Sequence, residues 1–193
     1  MRRTAASLAV AAVLLATGCS DADEAAESNT AAAAIIAAAT STTTGDPLDR
    51  PDVGRIVRVL DGDTADVEIG GDVERVRFIG IDTPEPVGGF RDPECFGDEA
   101  SAFTERLLPE GTLVRLERDV EGRDPFDRLL AYVFRHDDEL FVNLHLAEQG
   151  YADTLRIEPN VAYASLLADA VGLARELDLG LWGACGGADV PLG

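Results

Sequence analysis

Between Gly54 and Glu85 short β-rich runs are separated by turn signals, and that spacing leaves little room for anything but a tightly wound sheet. Gly54 to Leu60 ends at Asp61-Gly62, a hairpin signal. Ala65, Val67 and Ile69 alternate with Asp66 and Glu68, the pattern of a half-buried strand. Gly70-Gly71-Asp72 then turns the chain into a third run, Val73 to Ile81, which Thr83-Pro84-Glu85 stops because Pro cannot donate to a ladder. Further along, Ala100, Phe103 and Leu107 share one face of a short helix ending before Pro109. Thr112 to Arg118 and Arg128 to Phe134 read as two more strands. Asn143 to Gln149 reads as a helix capped by Asn143 and followed by Gly150. The last helix, about 160–177, carries Tyr163, Leu166, Leu167, Ala170, Ala174 and Leu177 at helical spacing. The expectation is an α+β chain, mainly β: a five-stranded OB-type barrel with about three packed helices.

The segment before this domain has a different composition. Arg2 and Arg3 precede an apolar run from Ala5 to Ala16, too short for a comfortable transmembrane helix and proportioned like an export signal. Its ending, Leu15-Ala16-Thr17-Gly18-Cys19, resembles a bacterial lipoprotein signal, with the Leu one place further upstream than usual. Residues 1–19 are therefore read as a leader whose Cys19 is lipidated, and 20–50 as a disordered tether of Ala, Ser, Thr and acidic residues. Residues 51–193 form the folded domain. The reading implies export and a lipid anchor on the extracytoplasmic face of the membrane, or secretion where Cys19 is not lipidated. The tether would span on the order of 30 Å.

Charge argues against a nucleic-acid partner. The chain holds 16 bases, all Arg, against 36 acids, a net −20. Arg2, Arg3 and six acids precede Arg50, so the chain from Arg50 onward still carries 14 bases, 30 acids and a net −16. Such a field repels a polyanion, and only a strong local site could overrule it.

Two strand exits and one hairpin hold such a site. Asp61-Gly62-Asp63 and Asp82-Thr83-Pro84-Glu85 set four carboxylates at the ends of consecutive strands. Each motif alone is an ordinary turn. With Arg77 and Arg128 they offer two carboxylates for a hard cation, two guanidiniums for a phosphate and a further carboxylate to activate water. Arg77 and Asp82 would lie about 16 Å apart on opposite faces of a straight strand, so a sharp bend is needed, and Gly80 is the place for it. No paired Cys or His spacing favours zinc.

From about Ile56 to Trp182 the domain resembles the staphylococcal-nuclease-like (thermonuclease) family. The resemblance rests on Leu60-Asp61-Gly62-Asp63-Thr64, Arg77 and Ile81-Asp82-Thr83-Pro84-Glu85. It continues in Gly97, Glu99-Ala100-Ser101-Ala102-Phe103, Asp124, Arg128, Leu130-Ala131-Tyr132, Val142-Asn143, Gln149-Gly150 and Leu181-Trp182. It implies the staphylococcal nuclease fold and a calcium-dependent nuclease that cuts DNA and/or RNA to 3′-phosphate products. Asp63 and Asp82 would ligate Ca2+ by carboxylate and Thr83 by its carbonyl. Glu85 would orient or deprotonate water, and Arg77 and Arg128 would hold the phosphate. A monomer is expected, and no protein partner is implied. The alternatives are a catalytically weak OB-fold lipoprotein that binds without cutting, and an acidic surface for cations or a basic protein beside a vestigial site.

The chain departs from the family pattern at three places. Asp127 stands where Gly is frequent, Arg91 is the only base in the loop from Pro86 to Phe96, and Leu155 and Ile157 replace aromatics near the nucleotide. Phe126 is left as an apolar face for a base. Cys95 and Cys185 are the remaining cysteines after Cys19, and export permits a disulfide between them. Trp182 reads as a core anchor, and His136 and His145 as ordinary surface or helix residues.

Overall fold

The computed structural model describes residues 46–193. The leader, Cys19 and nearly all of the 20–50 segment lie outside the described residues.

Five strands close a barrel in the order β1 (Val53–Val59), β2 (Thr64–Ile69), β3 (Asp72–Phe78), β6 (Leu129–Arg135), β5 (Leu113–Glu117). The first three form an antiparallel meander, as their short turns require. β3 and β6 pair in parallel, Arg77 opposite Leu130, while β5 closes against both β6 and β1. Ile56, Val67, Val76, Phe78, Val114 and Val133 point inward and are essentially removed from water. α1 (Gly97–Leu107), α2 (Val142–Glu148), α3 (Ala164–Glu176) and α4 (Leu181–Cys185) pack around it, one helix more than the sequence announces. Trp182 is buried among them, with Arg175 lying over its ring at 4.2 Å. Among the described residues no helix is long and apolar enough to cross a membrane.

Four sequence-based expectations differ in detail. The run Val73 to Ile81 is two strands, because β4 (Gly80–Asp82) leaves the barrel and pairs with β7 (Asp153–Leu155) in a separate two-stranded sheet. Asp66 is buried, not solvated: Arg58 and Arg75 ion-pair with it from either side at 2.8 and 3.0 Å. Asn143 is no cap. It lies inside α2, accepts from the Val133 N–H at 2.9 Å and donates to the Ile79 carbonyl at 2.9 Å, fastening the helix to the barrel. Asn160 does not open the last helix, which starts at Ala164; its amide instead exchanges two hydrogen bonds with the Glu121 backbone.

Gly80 supplies the bend. Its φ of +84° belongs to the left-handed region that favours Gly, and a Cβ there would meet Leu167 Cδ1 at 2.5 Å. The chain turns there, and Arg77 Nη2 comes to 2.8 Å from Asp82 Oδ1.

Cys95 and Cys185 are joined by a disulfide, their Cα atoms 6.0 Å apart. Beside it the C-terminal segment is stitched to the loop before α1: Cys95 N–H donates to Val190 O at 2.7 Å and Leu192 N–H to Pro93 O at 3.0 Å. A 90-residue separation makes this a large closed loop. The paired Cys95→Ser, Cys185→Ser variant should therefore unfold about 3–4 kcal/mol more easily, chiefly because its unfolded chain is freer. Urea unfolding of the oxidised protein and the variant measures this, and coincident curves would show that the bond carries no stability.

Candidate functional site

The Asp61–Asp63 turn is fixed from three sides before any ligand is considered. Asp63 carbonyl accepts from Phe78 N–H at 2.8 Å, which ties the turn to the end of β3. Thr104 of α1 donates its hydroxyl to Gly62 O at 2.7 Å. On the third side Thr83 presses against Gly62, where a Cβ would sit only 2.5 Å from the threonine hydroxyl. The Asp-Gly pair thus serves close packing between two strand ends rather than a plain hairpin.

That packing brings the buried Asp63, Arg77 and Thr83 together with the half-buried Asp82 in one cluster. Asp63 Oδ1 pairs with Arg77 Nη1 at 2.9 Å, and its Oδ2 accepts from Thr83 N–H at 2.9 Å and Thr83 Oγ1 at 3.1 Å. Arg77 also donates to Phe78 O at 2.7 Å and pairs with Asp82, so both of its terminal nitrogens are engaged. Asp61 accepts from Asp63 N–H at 3.0 Å.

Glu85 stands apart under the loop that follows β4. Only 6% exposed, it takes the Phe90 and Arg91 backbone N–H groups on Oε1 and the Arg91 Nε–H on Oε2, the last at 3.2 Å. Glu94 steadies its backbone, donating N–H to Glu85 O and accepting Glu85 N–H on its carboxylate, each at 2.9 Å. Arg128 is held by Asp124, whose Oδ2 receives Arg128 Nε at 2.6 Å and whose Oδ1 receives the Arg128 and Phe126 N–H groups. Burial raises the Asp124 carboxyl, but these bonds outweigh it and hold the group below the ordinary carboxylate range. Asp127 takes the left-handed turn beside Arg128 (φ +65°), a conformation Asp tolerates better than most residues. Its side chain is 89% exposed, with Arg123 at 3.7 Å, so the extra acid does not pair with Arg128.

All six candidate residues line one cavity of about 1130 Å³. Direct contacts join Asp63, Arg77, Asp82 and Thr83, and Arg91 approaches both Glu85 and Asp82. Arg128 reaches the same cavity from the 121–128 loop, with no hydrogen bond or ion pair to the other five among the described residues. Phe126, at 81% exposure, and Ile157 stand at the rim.

Within the cluster the acids outnumber the bases. Burial, and then the Asp63 charge, push both Asp61 and Asp82 up to about 6; Arg77, and for Asp82 also Arg91, oppose that rise without cancelling it. A site built this way gains from an added cation. Among the described residues no group of three Asp, Glu, His or Cys side chains would hold a metal alone. Two carboxylates and a carbonyl are nonetheless a reasonable partial set for Ca2+, which fills its remaining positions with water and ligand oxygens.

Asp61 and Arg91 belong to the site although the sequence assigns neither a role in it. Asp61 shares its triplet with Asp63, and Arg91 carried the one signal of being the lone base in its loop. Asp61 gives a test of the crowding. An acid whose folded pKa is raised stabilises most below its unfolded value and loses that contribution as pH rises through the folded value. Here the loss falls between about pH 4 and pH 6. Asp61→Asn keeps an acceptor for Asp63 N–H and removes the charge. In chelator it should raise Tm by several degrees at pH 8 and hardly at pH 4; equal effects at both would refute the crowding.

Comparison with known proteins gives one family and several relatives. The family whose model matches the chain, over residues 75–184, is described as staphylococcal nuclease homologue. The thermonuclease of Staphylococcus intermedius is 41% identical over 127 residues, covering 66% of this chain and 74% of the relative. The thermonuclease of Staphylococcus hyicus is 38% identical over 128 residues, with the same coverages. The SPbeta prophage-derived endonuclease YokF of Bacillus subtilis is 35% identical over 127 residues, which span 65% of this chain and 42% of that protein.

Proposed function

The chain belongs to the staphylococcal nuclease homologue family and is a nuclease; from that premise we propose that it hydrolyses phosphodiesters in DNA and/or RNA with Ca2+ as cofactor and leaves 3′-phosphate ends. The observation that carries the proposal is the Asp63–Arg77–Asp82 cluster, where two carboxylates and a guanidinium from three elements meet in one cavity.

In this reading Asp63, Asp82 and the Thr83 carbonyl would hold the cation, which would supply positive charge to offset that of the phosphate. Glu85 orients a water and takes its proton as the oxygen bonds to phosphorus. The bond to the 5′-oxygen breaks, and that oxygen is protonated from solvent. Arg128 would meet the equatorial oxygens with its open terminal edge, and Arg77 would join it by giving up part of its pairing with Asp63 and Asp82, a task suited to the planar guanidinium fork. Proteins of net charge −16 bind polyanions poorly at long range, so affinity depends on this cavity rather than on a basic surface.

The leader through Cys19 and the 20–50 segment are proposed as export signal, lipid site and tether, ahead of a catalytic domain at 51–193. Mass spectrometry of the N-terminal peptide tests this, since a diacylglyceryl-modified Cys19 is expected and an unmodified chain beginning elsewhere excludes the anchor. The central experiment is the purified protein on DNA and on RNA, in calcium and in chelator. Cutting should stop in chelator and return with calcium, with phosphate retained on the 3′ ends. An unchanged rate in chelator would remove the metal from the mechanism.

A further inference from the structure

Arg91 stands in the same cavity as Arg77 and Arg128 and holds none of the roles assigned to them. Its mounting repeats that of Arg128. In each, one carboxylate receives both the backbone N–H and the Nε–H of the same arginine: Glu85 for Arg91, at 3.2 Å for both, and Asp124 for Arg128, at 2.9 and 2.6 Å. Such a mount fixes the stem and leaves the Nη1/Nη2 edge to face a ligand. For Arg91 the contact of that edge is Nη2 at 3.9 Å from Asp82 Oδ1, too long for a hydrogen bond, and the side chain is 56% exposed.

Arg77 differs, because its terminal nitrogens are already spent on Phe78 O, Asp63 and Asp82. Arg75, which also lines the cavity, commits both Nε and the terminal Nη2 to the two Asp66 oxygens, at 3.0 and 3.5 Å. In a chain with no Lys and a net charge of −20, two guanidiniums with an open terminal edge converge on this cavity. The terminal edge of Arg meets two oxygens of one phosphate at once.

We propose that Arg91 is a third phosphate-binding residue of the cleft, anchored by Glu85 and gripping a phosphodiester next to the one that is cut. This rests on the nuclease reading and extends its substrate contact beyond a single phosphate. Glu85 then has two tasks, since its Oε2 accepts one bond from Arg91 and keeps a second lone-pair direction for water.

The test is equilibrium binding, in calcium, of a single-stranded phosphorothioate oligonucleotide that resists cutting, measured over a NaCl series. Arg91→Met should weaken binding about 10-fold, the scale of a lost charge-assisted bond. It should also lower the slope of log K against log salt by about 0.7, one single-strand phosphate contact. Arg91→Lys should restore the slope with part of the affinity, and Arg75→Met, the same charge change on a committed arginine, should leave the slope as in the parent. An unchanged slope in Arg91→Met overturns the proposal, even if kcat falls, because Arg91 would then only steady Glu85. An equal drop in Arg75→Met also overturns it, as a general charge effect. If the parent protein binds with the expected slope but cuts no nucleic acid, the functional reading fails while the phosphate contact stands.

Discussion

Arg77→Met should cost the protein most of its turnover and much of its metal-free stability together. The guanidinium is 10% exposed and holds three oxygens at once: Phe78 O at 2.7 Å, Asp63 Oδ1 at 2.9 Å and Asp82 Oδ1 at 2.8 Å. Met fills a similar volume but returns none of these bonds. Breaking a buried ion pair by removing one partner costs about 3–5 kcal/mol, because the other charge stays buried and uncompensated. Two carboxylates are left in that position here, with Asp61 crowding them further. The deficit should therefore be large in chelator and smaller in calcium, where a dication takes over part of the neutralisation. Turnover should fall by about 10²–10³, the usual effect of deleting one preorganised donor to a charge that develops in the transition state. Arg77→Lys should recover stability better than turnover, since an ammonium restores the charge and not the planar fork. Urea unfolding with and without calcium, alongside steady-state cutting, measures both halves. A variant equally destabilised in calcium and chelator would mean that Arg77 does not share its carboxylates with a cation.

Much of this cluster was legible before the structure, and the reason is local. Asp63, Arg77 and Asp82 lie at strand ends, where turn residues and Pro mark boundaries within a residue or two, so their convergence could be argued from strand geometry with one added condition at Gly80. The positive φ of Gly80 meets that condition. What stayed hidden depends on contacts between segments far apart in the chain. Asp66 looks like the solvated position of an alternating strand, and only the approach of Arg58 and Arg75 makes its burial tolerable. Asn143 carries a helix-cap signal, yet the barrel floor needs a donor and an acceptor at that point, and it serves Ile79 and Val133 instead. The split of the third strand follows from β7, more than 70 residues away, offering a second edge. Helix α3 begins late because Asn160 is spent on Glu121. Side-chain period and turn chemistry specify what a segment prefers, and distant partners decide which preference is overridden.

Glu85→Gln should lower kcat by about 10²–10⁴, the range for loss of a positioned general base, with a much smaller loss of nucleotide affinity. The size of the fall depends on how the carboxylate is held. Oε1 already accepts two backbone N–H groups, from Phe90 and Arg91, so a Gln carbonyl can take its place there and keep the loop down. The Gln NH2 group then faces Arg91 Nε, donor against donor, where Oε2 had accepted at 3.2 Å. Arg91 must swing out, and the variant should lose some nucleotide affinity along with its base. Glu85→Asp reverses the balance: it keeps the charge on a shorter stem and cannot reach both the loop N–H groups and Arg91. It should retain more turnover than Gln at high pH, where hydroxide supplements a badly placed base, and bind substrate less tightly than the parent. Single-turnover cutting together with binding of the phosphorothioate oligonucleotide separates the two effects. If Glu85→Gln cuts at near the parent rate, the loop carboxylate is a structural anchor for residues 86–91, and the base must be sought among Asp61, Asp82 and bulk water.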